Sequence, residues 1–167
     1  MWYVIWTSSS HENTCVRLLE EKFSGLYSRV FIPTRTISKK RGSEWQLEQS
    51  ALFPGYIFVD SDRIEDLADA LRFHSGFNIV LSTDGGYLPM TEEESAFAED
   101  LYGRGGNFDT SVGMIDGDEI KVTGGPLVGL EGFITKIDRH KRIAFVEVNM
   151  FGKKIRTKVG LEIVERR

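Results

Sequence analysis

Gly103-Arg104-Gly105-Gly106-Asn107 divides the sequence into two parts that read differently. Before it, strand-like runs alternate with helical periods. After it no helical period appears, and short β-rich runs follow one another between turn signals. The glycines read as a flexible bridge. On the N-terminal side Trp2–Thr7 is aromatic and β-branched, as strands are. Ser9-Ser10-His11-Glu12 has the S-x-x-E spacing of a capping box, and Cys15, Leu19 and Phe23 place one apolar face on the helix behind it. Arg29–Ile37 reads as a strand that Pro33 consigns to an edge or bulge, and Lys39–Gly42 as a basic turn from which Glu44–Leu52 returns. Tyr56–Val59 reads as a buried strand entered through Pro54-Gly55. Asp62 is placed to cap a helix carrying Ile64, Leu67, Ala68 and Leu71, with Gly76 as its stop. A strand at Phe77–Leu81, a turn at Asp84–Gly86 and a Thr91/Glu94-capped helix with Phe97, Ala98 and Leu101 complete this part.

On the C-terminal side strands are expected at Glu119–Thr123, Glu131–Ile137, Ile143–Met150, Lys153–Val159 and Leu161–Val164. Five short strands in so short a stretch predict a small barrel. The fold class expected is therefore α+β. An antiparallel sheet with flanking helices spans residues 1–102, a linker 103–111, and a five-stranded SH3-like β-barrel 112–167. The run Ile143–Val148 is β-branched enough to favour a barrel over a helical alternative.

Charge follows the same division. The 167-residue chain has a formal net charge of −4, which suggests indifference to nucleic acid. Residues 1–102 carry 9 basic and 16 acidic side chains, while 112–167 carry 11 and 8. The two parts thus suit different partners. No apolar run approaches the roughly 18 residues of a membrane span, and the single Cys15 builds neither a disulfide framework nor a zinc site. His11, His74 and His140 share no metal-binding spacing, so neither metal nor cofactor is expected. The glycines near Gly125 lack the Lys-Ser/Thr of a phosphate loop. No enzyme is expected, and a cytoplasmic monomer is the default.

Several stretches, taken in order, resemble the NusG family of transcription elongation factors: Trp2-Tyr3-Val4, Val30-Phe31-Ile32-Pro33, Phe53-Pro54-Gly55-Tyr56, Gly117–Val122, Gly125–Gly132 and Asn149–Gly152. The C-terminal part is similar to a KOW domain. Lys136–Arg142 and Leu161–Val164 resemble the LoaP-type antiterminators within the family. The resemblance implies an N-terminal domain that binds the clamp helices of RNA polymerase. It implies a KOW domain that recruits ribosome, termination factor or RNA, and for LoaP-type members recognition of a leader RNA hairpin. Upstream or nontemplate DNA, a ribosomal protein and other elongation factors are further partners it suggests. A general elongation factor and a ribosomal-type KOW protein remain alternatives.

On that reading Trp6, Thr7, Phe53, Pro54, Gly55 and Tyr56 form the polymerase-binding patch, with an aromatic left facing outward by the Pro-Gly kink. Nucleic acid is assigned to Lys39, Lys40 and Arg41, to Lys136, Arg139, His140, Lys141 and Arg142, and to Lys153, Lys154, Arg156 and Lys158. Of these, Lys154, Arg156 and Lys158 share one face of a strand. The loop at Arg139–Arg142 is the expected source of specificity. Phe151, at a loop tip, is the partner residue of the KOW loop, by base stacking or by docking a ribosomal protein.

Overall fold

The computed structural model describes residues 1–74 and 78–166, so Gly76 and Phe77 lie outside the described residues. The chain runs β1 (Trp2–Trp6), α1 (Glu12–Lys22), β2 (Arg29–Phe31), β3 (Thr34–Arg41), β4 (Glu44–Ala51), β5 (Tyr56–Asp60) and α2 (Ile64–His74). It continues through β6 (Ile79–Val80), β7 (Ser82–Thr83), β8 (Gly86–Tyr87), α3 (Glu92–Gly103) and β9 (Asn107–Phe108). The last strands are β10 (Ser111–Asp116), β11 (Glu119–Gly124), β12 (Ile134–Asp138), β13 (Ile143–Met150) and β14 (Lys153–Arg166). These elements form two compact units, Met1–Pro33 with Phe53–Gly106, and Thr34–Leu52 with Asn107–Arg167. The division after Gly106 falls inside the expected 103–111 linker, but the hairpin 34–52 groups with the C-terminal strands. Counted by unit, 6 basic and 14 acidic residues give the first −8, and 15 and 11 give the second +4.

The first unit is built on the sheet β2-β5-β1-β6. β1 and β5 pair antiparallel from Trp2↔Asp60 to Trp6↔Tyr56. Alternation then sorts their side chains onto two faces. Tyr3, Ile5, Ile57 and Val59 pack with Cys15 and Leu19 of α1 and with Leu67, Ala68 and Leu71 of α2. Burial pushes the Cys15 thiol up to about 11, which keeps it protonated and inert. The opposite face carries Trp2 and Phe58, which meet Phe31, Phe53 and Tyr102 edge-on or tilted. The buried Ala98 and Leu101 of α3 also belong to this unit's core.

Two helix starts differ from the sequence reading. The Thr91/Glu94 capping box forms as expected, with both reciprocal bonds present. The Ser9/Glu12 box does not, because His11 is the N-cap and its side chain makes no capping bond to the helix. Glu12 is instead buried, where it accepts a 3.4 Å hydrogen bond from the Gly55 backbone N–H. Ahead of α2, Ser61 rather than Asp62 accepts the Arg63 N–H, at 2.9 Å. The expected strand Arg29–Ile37 is two strands, since Ile32-Pro33 interrupts it and β2 and β3 join different sheets.

The second unit contains the five-stranded sheet β11-β10-β14-β13-β12 and the three-stranded sheet β4-β3-β9. The strands expected at Lys153–Val159 and Leu161–Val164 are one, β14, which pairs antiparallel with β13 up to Gly160 and parallel with β10 from Leu161. Ser111–Asp116 supplies the fifth strand, and the segment expected to start a strand at Glu131 begins with a 3-10 turn. Gly160 is at the change of partner, and a Cβ there would lie 2.9 Å from the Thr36 carbonyl oxygen. Asn107 is not free linker. It donates to Thr36 Oγ1 and accepts from Thr34 Oγ1, each at 2.9 Å, which fixes β9 beside β3.

One ion network ties the sheet of the first unit to α3. Arg29 donates to Asp60 and Glu99 and lies over the Trp2 ring at 4.8 Å. The Trp2 indole donates to Glu99 at 3.1 Å. Arg29, then Trp2, draw the Glu99 carboxyl from its ordinary 4.5 down to about 2. A depressed carboxyl stabilises the fold above its unfolded value and loses that contribution as pH falls through the folded one. Glu99→Gln should therefore lower the melting temperature at neutral pH, and the gap from the parent chain should close between pH 4.5 and about 2.

Candidate interaction surfaces

In the first unit Phe53-Pro54-Gly55-Tyr56 is a tight turn, closed by the Tyr56 N–H donating to the Phe53 carbonyl at 3.0 Å. Pro at its second position and Gly at its third are what a type II turn requires. Gly55 has φ +84, and a Cβ there would sit 2.7 Å from the Thr7 carbonyl oxygen. The Thr7 N–H in turn donates to the Gly55 carbonyl at 2.9 Å. The turn therefore closes against the end of β1, and Thr7 and Gly55 converge from distant parts of the chain. Trp6 and Tyr56 are register partners with ring centroids 5.8 Å apart, and Phe53 lies 6.0 Å from Tyr56.

The three aromatics are not equivalent. Phe53 is 4% exposed and also faces Phe58 and Phe97, so it is a core residue rather than a member of the contact patch as expected. Trp6, Thr7 and Tyr56 are half-buried and Pro54 is exposed. Burial raises the Tyr56 phenol, and its hydrogen bond with Trp6 works against that shift. Phe53→Ala should cost about 3–5 kcal/mol in urea denaturation, as core Phe truncations do. Tyr56→Ala should cost clearly less.

In the second unit the basic residues separate into four places. Lys39 and Arg41 both pair across the β3–β4 hairpin with Glu48, and Lys40 is exposed opposite Trp45. Arg41, then Lys39, hold the Glu48 carboxyl below its ordinary value. Arg139, His140 and Lys141 are exposed in the turn between β12 and β13. Arg142 leaves that group, because its guanidinium lies 3.9 Å from the Trp45 ring centroid and 3.8 Å from Glu162. A base-reading role for Arg142 would have to displace that stack.

The remaining cations form one sheet face. Lys136 is the register partner of Phe145, which is the partner of Lys158. Both ammonium groups stand over the Phe145 ring, at 5.7 and 5.6 Å from its centroid. One step along, Arg156 and Lys154 both pair with Glu147, at 2.8 and 3.4 Å. They hold that carboxyl below its ordinary value, Arg156 foremost. Lys154, Arg156 and Lys158 do share one face, and β12 adds Lys136 to it. Lys153, at the start of β14, is exposed.

Phe151 is corrected by the structure. It is 3% exposed at φ 56, so its ring is buried and is not presented for stacking. Phe145 was missed, although the two-residue period of a strand sets Phe145 and Glu147 opposite the buried Ala144 and Val146. Trp45 and Arg35 were also missed, and no local pattern marks either one.

The family model described as transcription termination factor nusG matches residues 1–97. Three similar proteins are named transcription termination/antitermination protein NusG. The one from Borreliella burgdorferi is 26% identical, covering 99% of this chain and 97% of its own length. The one from Thermus thermophilus is 26% identical over 91% and 90%. The one from Bacillus subtilis is 27% identical over 98% and 96%. The family match takes in more than half of the chain and the relatives align with nearly all of it, so the chain belongs to the NusG family of transcription termination/antitermination factors.

Proposed function

We propose that this chain is a noncatalytic antitermination factor of the LoaP type, which holds RNA polymerase with its first unit and nascent leader RNA with its second. The observation that carries the RNA half is the sheet face of Lys136, Lys154, Arg156 and Lys158 around Phe145. Cations neutralise phosphates and give salt-dependent affinity, and an aromatic among them offers a base a stacking partner. Glu147 keeps the row from repelling itself, so its cations stay ordered at a net charge that still favours RNA. The exposed Arg139, His140 and Lys141 turn lies at the end of the same β12–β13 hairpin, where it can add contacts to a structured RNA. Lys39, Lys40 and Arg41 are assigned to the DNA beside the polymerase cleft.

The polymerase half rests on Trp6, Thr7, Pro54 and Tyr56, with the clamp helices as the partner. A half-buried aromatic pair backed by a rigid turn loses little entropy on docking, which suits an interface anchor. Gly55 and Phe53 support that patch from beneath. A general elongation factor, with the ribosome or a termination factor on the second unit, is favoured by one observation: relatives bearing the general family name align over nearly the whole chain.

Phe145→Ala should weaken binding of the operon's leader RNA by about 1–3 kcal/mol, as removal of a stacking aromatic does. Lys136→Gln with Lys158→Gln should lower the slope of log affinity against log salt by about 1.4, two single-strand phosphate contacts at about 0.7 each. Both are read by filter binding across a salt series, with polymerase binding unchanged. RNA affinity unmoved by either change removes the sheet face from the site.

A further inference from the structure

A cavity of about 410 Å³ opens in the second unit between the β3–β4 hairpin and the five-stranded sheet. That size lies in the range of small-ligand sites, roughly 300–1,000 Å³. Arg35, Lys39 and Lys158 line it, with Glu48 and the isoleucines Ile37 and Ile143. The two isoleucines are 4% and 8% exposed, so the wall behind the charges is apolar and buried.

Arg35 is the unusual member. It donates from Nη1 to the Lys158 carbonyl at 2.6 Å and to Thr157 Oγ1 at 2.9 Å, and from Nε to Ser50 Oγ at 3.3 Å. Every one of these acceptors is neutral. Among the described residues Arg35 makes no ion pair, and burial lowers the affinity of its guanidinium for its proton. The acidic residue at hand, Glu48, is already shared by Lys39 and Arg41. Lys158 likewise lacks a carboxylate partner among the described residues, its ammonium resting over Phe145. Two cations without counter-ions therefore line one half-enclosed cavity. Their backbone and hydroxyl bonds fix Arg35 in place while its Nη2 makes no bond to any described residue.

We propose that this cavity is a phosphate-binding site, with the Arg35 guanidinium and the Lys158 ammonium as its two cationic contacts. A planar guanidinium held at one edge presents the other to a tetrahedral oxyanion, the geometry that Arg–phosphate pairs use. The apolar wall lowers the local dielectric and strengthens the pair. The phosphate belongs either to a free nucleotide or to the backbone of an RNA strand, and both present the same oxygens to Arg35. The site shares Lys158 with the basic sheet face, but Arg35 and the buried isoleucine wall belong to it alone, so it can stand without RNA reading by that face.

The test follows the Nε–H resonance of Arg35 by NMR in the full chain. Inorganic phosphate, adenosine 5′-monophosphate and a short single-stranded RNA are titrated separately. Saturable movement of that resonance is expected, and Lys158→Gln should weaken it about tenfold or more, as loss of a charge-assisted bond does. Arg35→Gln should abolish binding, and Lys158→Gln covers the case in which Arg35→Gln loosens the hairpin. Movement with the mononucleotide assigns a free nucleotide, and movement with RNA alone assigns backbone phosphate. An Arg35 resonance unmoved by all three, or an affinity untouched by Lys158→Gln, overturns the proposal. RNA binding that fails while phosphate binds would remove the sheet-face reading and leave this site standing.

Discussion

Gly160 has to be a glycine for the second unit to exist as it does. One strand, β14, pairs with β13 before it and with β10 after it, and the strand passes close to the β3 backbone at the change. A Cβ would meet the Thr110 methyl at 2.7 Å and the Thr36 carbonyl oxygen at 2.9 Å, and the second is backbone that cannot give way cheaply. The approach permits the next bonds in the series. Arg35 reaches the Lys158 carbonyl, and Thr157 donates to the Leu52 carbonyl at 2.7 Å, so both ends of the hairpin are tied to the same strand. The basic face occupies the half of β14 before Gly160, and its orientation follows from that pairing with β13.

The first unit solves a different problem. Its net charge of −8 is dispersed over helices, and its apolar content goes into both faces of one sheet. The pairing of β1 with β5 sets which aromatics are buried and which stay at the edge. Trp2 and Phe58 go inward, and Trp6 and Tyr56 come out beside the Pro54-Gly55 turn. Because the turn is locked by Thr7 and by Glu12, the edge aromatics are presented on rigid backbone. Rigid presentation is what an interface anchor needs. Division of opposite charge between two units also gives partners of opposite charge separate surfaces.

Much of this was legible in the sequence because period and turn chemistry are local. Thr91/Glu94, the face of α2, the β3–β4 return and β13 follow from residues within a few positions of one another. What escaped depends on distant chain. Ser9/Glu12 has the spacing of a capping box, yet Glu12 is taken by Gly55, 43 positions on. Pro33 signals an interruption but cannot say that the next strand joins another unit. Two short strands and one long bent strand look alike until the partner is known, which is why β14 was divided at Gly160. For the sites, basic type was readable and pairing was not. Arg142 looks like its neighbours until Trp45 is placed under it, and Phe151 looks like a loop tip until its burial is seen.

In the mechanism proposed, leader RNA delivers this factor to polymerase, which then passes terminators. In-vitro transcription with purified polymerase and the full chain tests it most directly, on one template carrying the operon's own leader ahead of a terminator and one with the leader scrambled. Readthrough is expected on the first template and none above background on the second. Equal readthrough on both would contradict leader recognition and leave a general elongation factor. No readthrough on either would contradict antitermination itself.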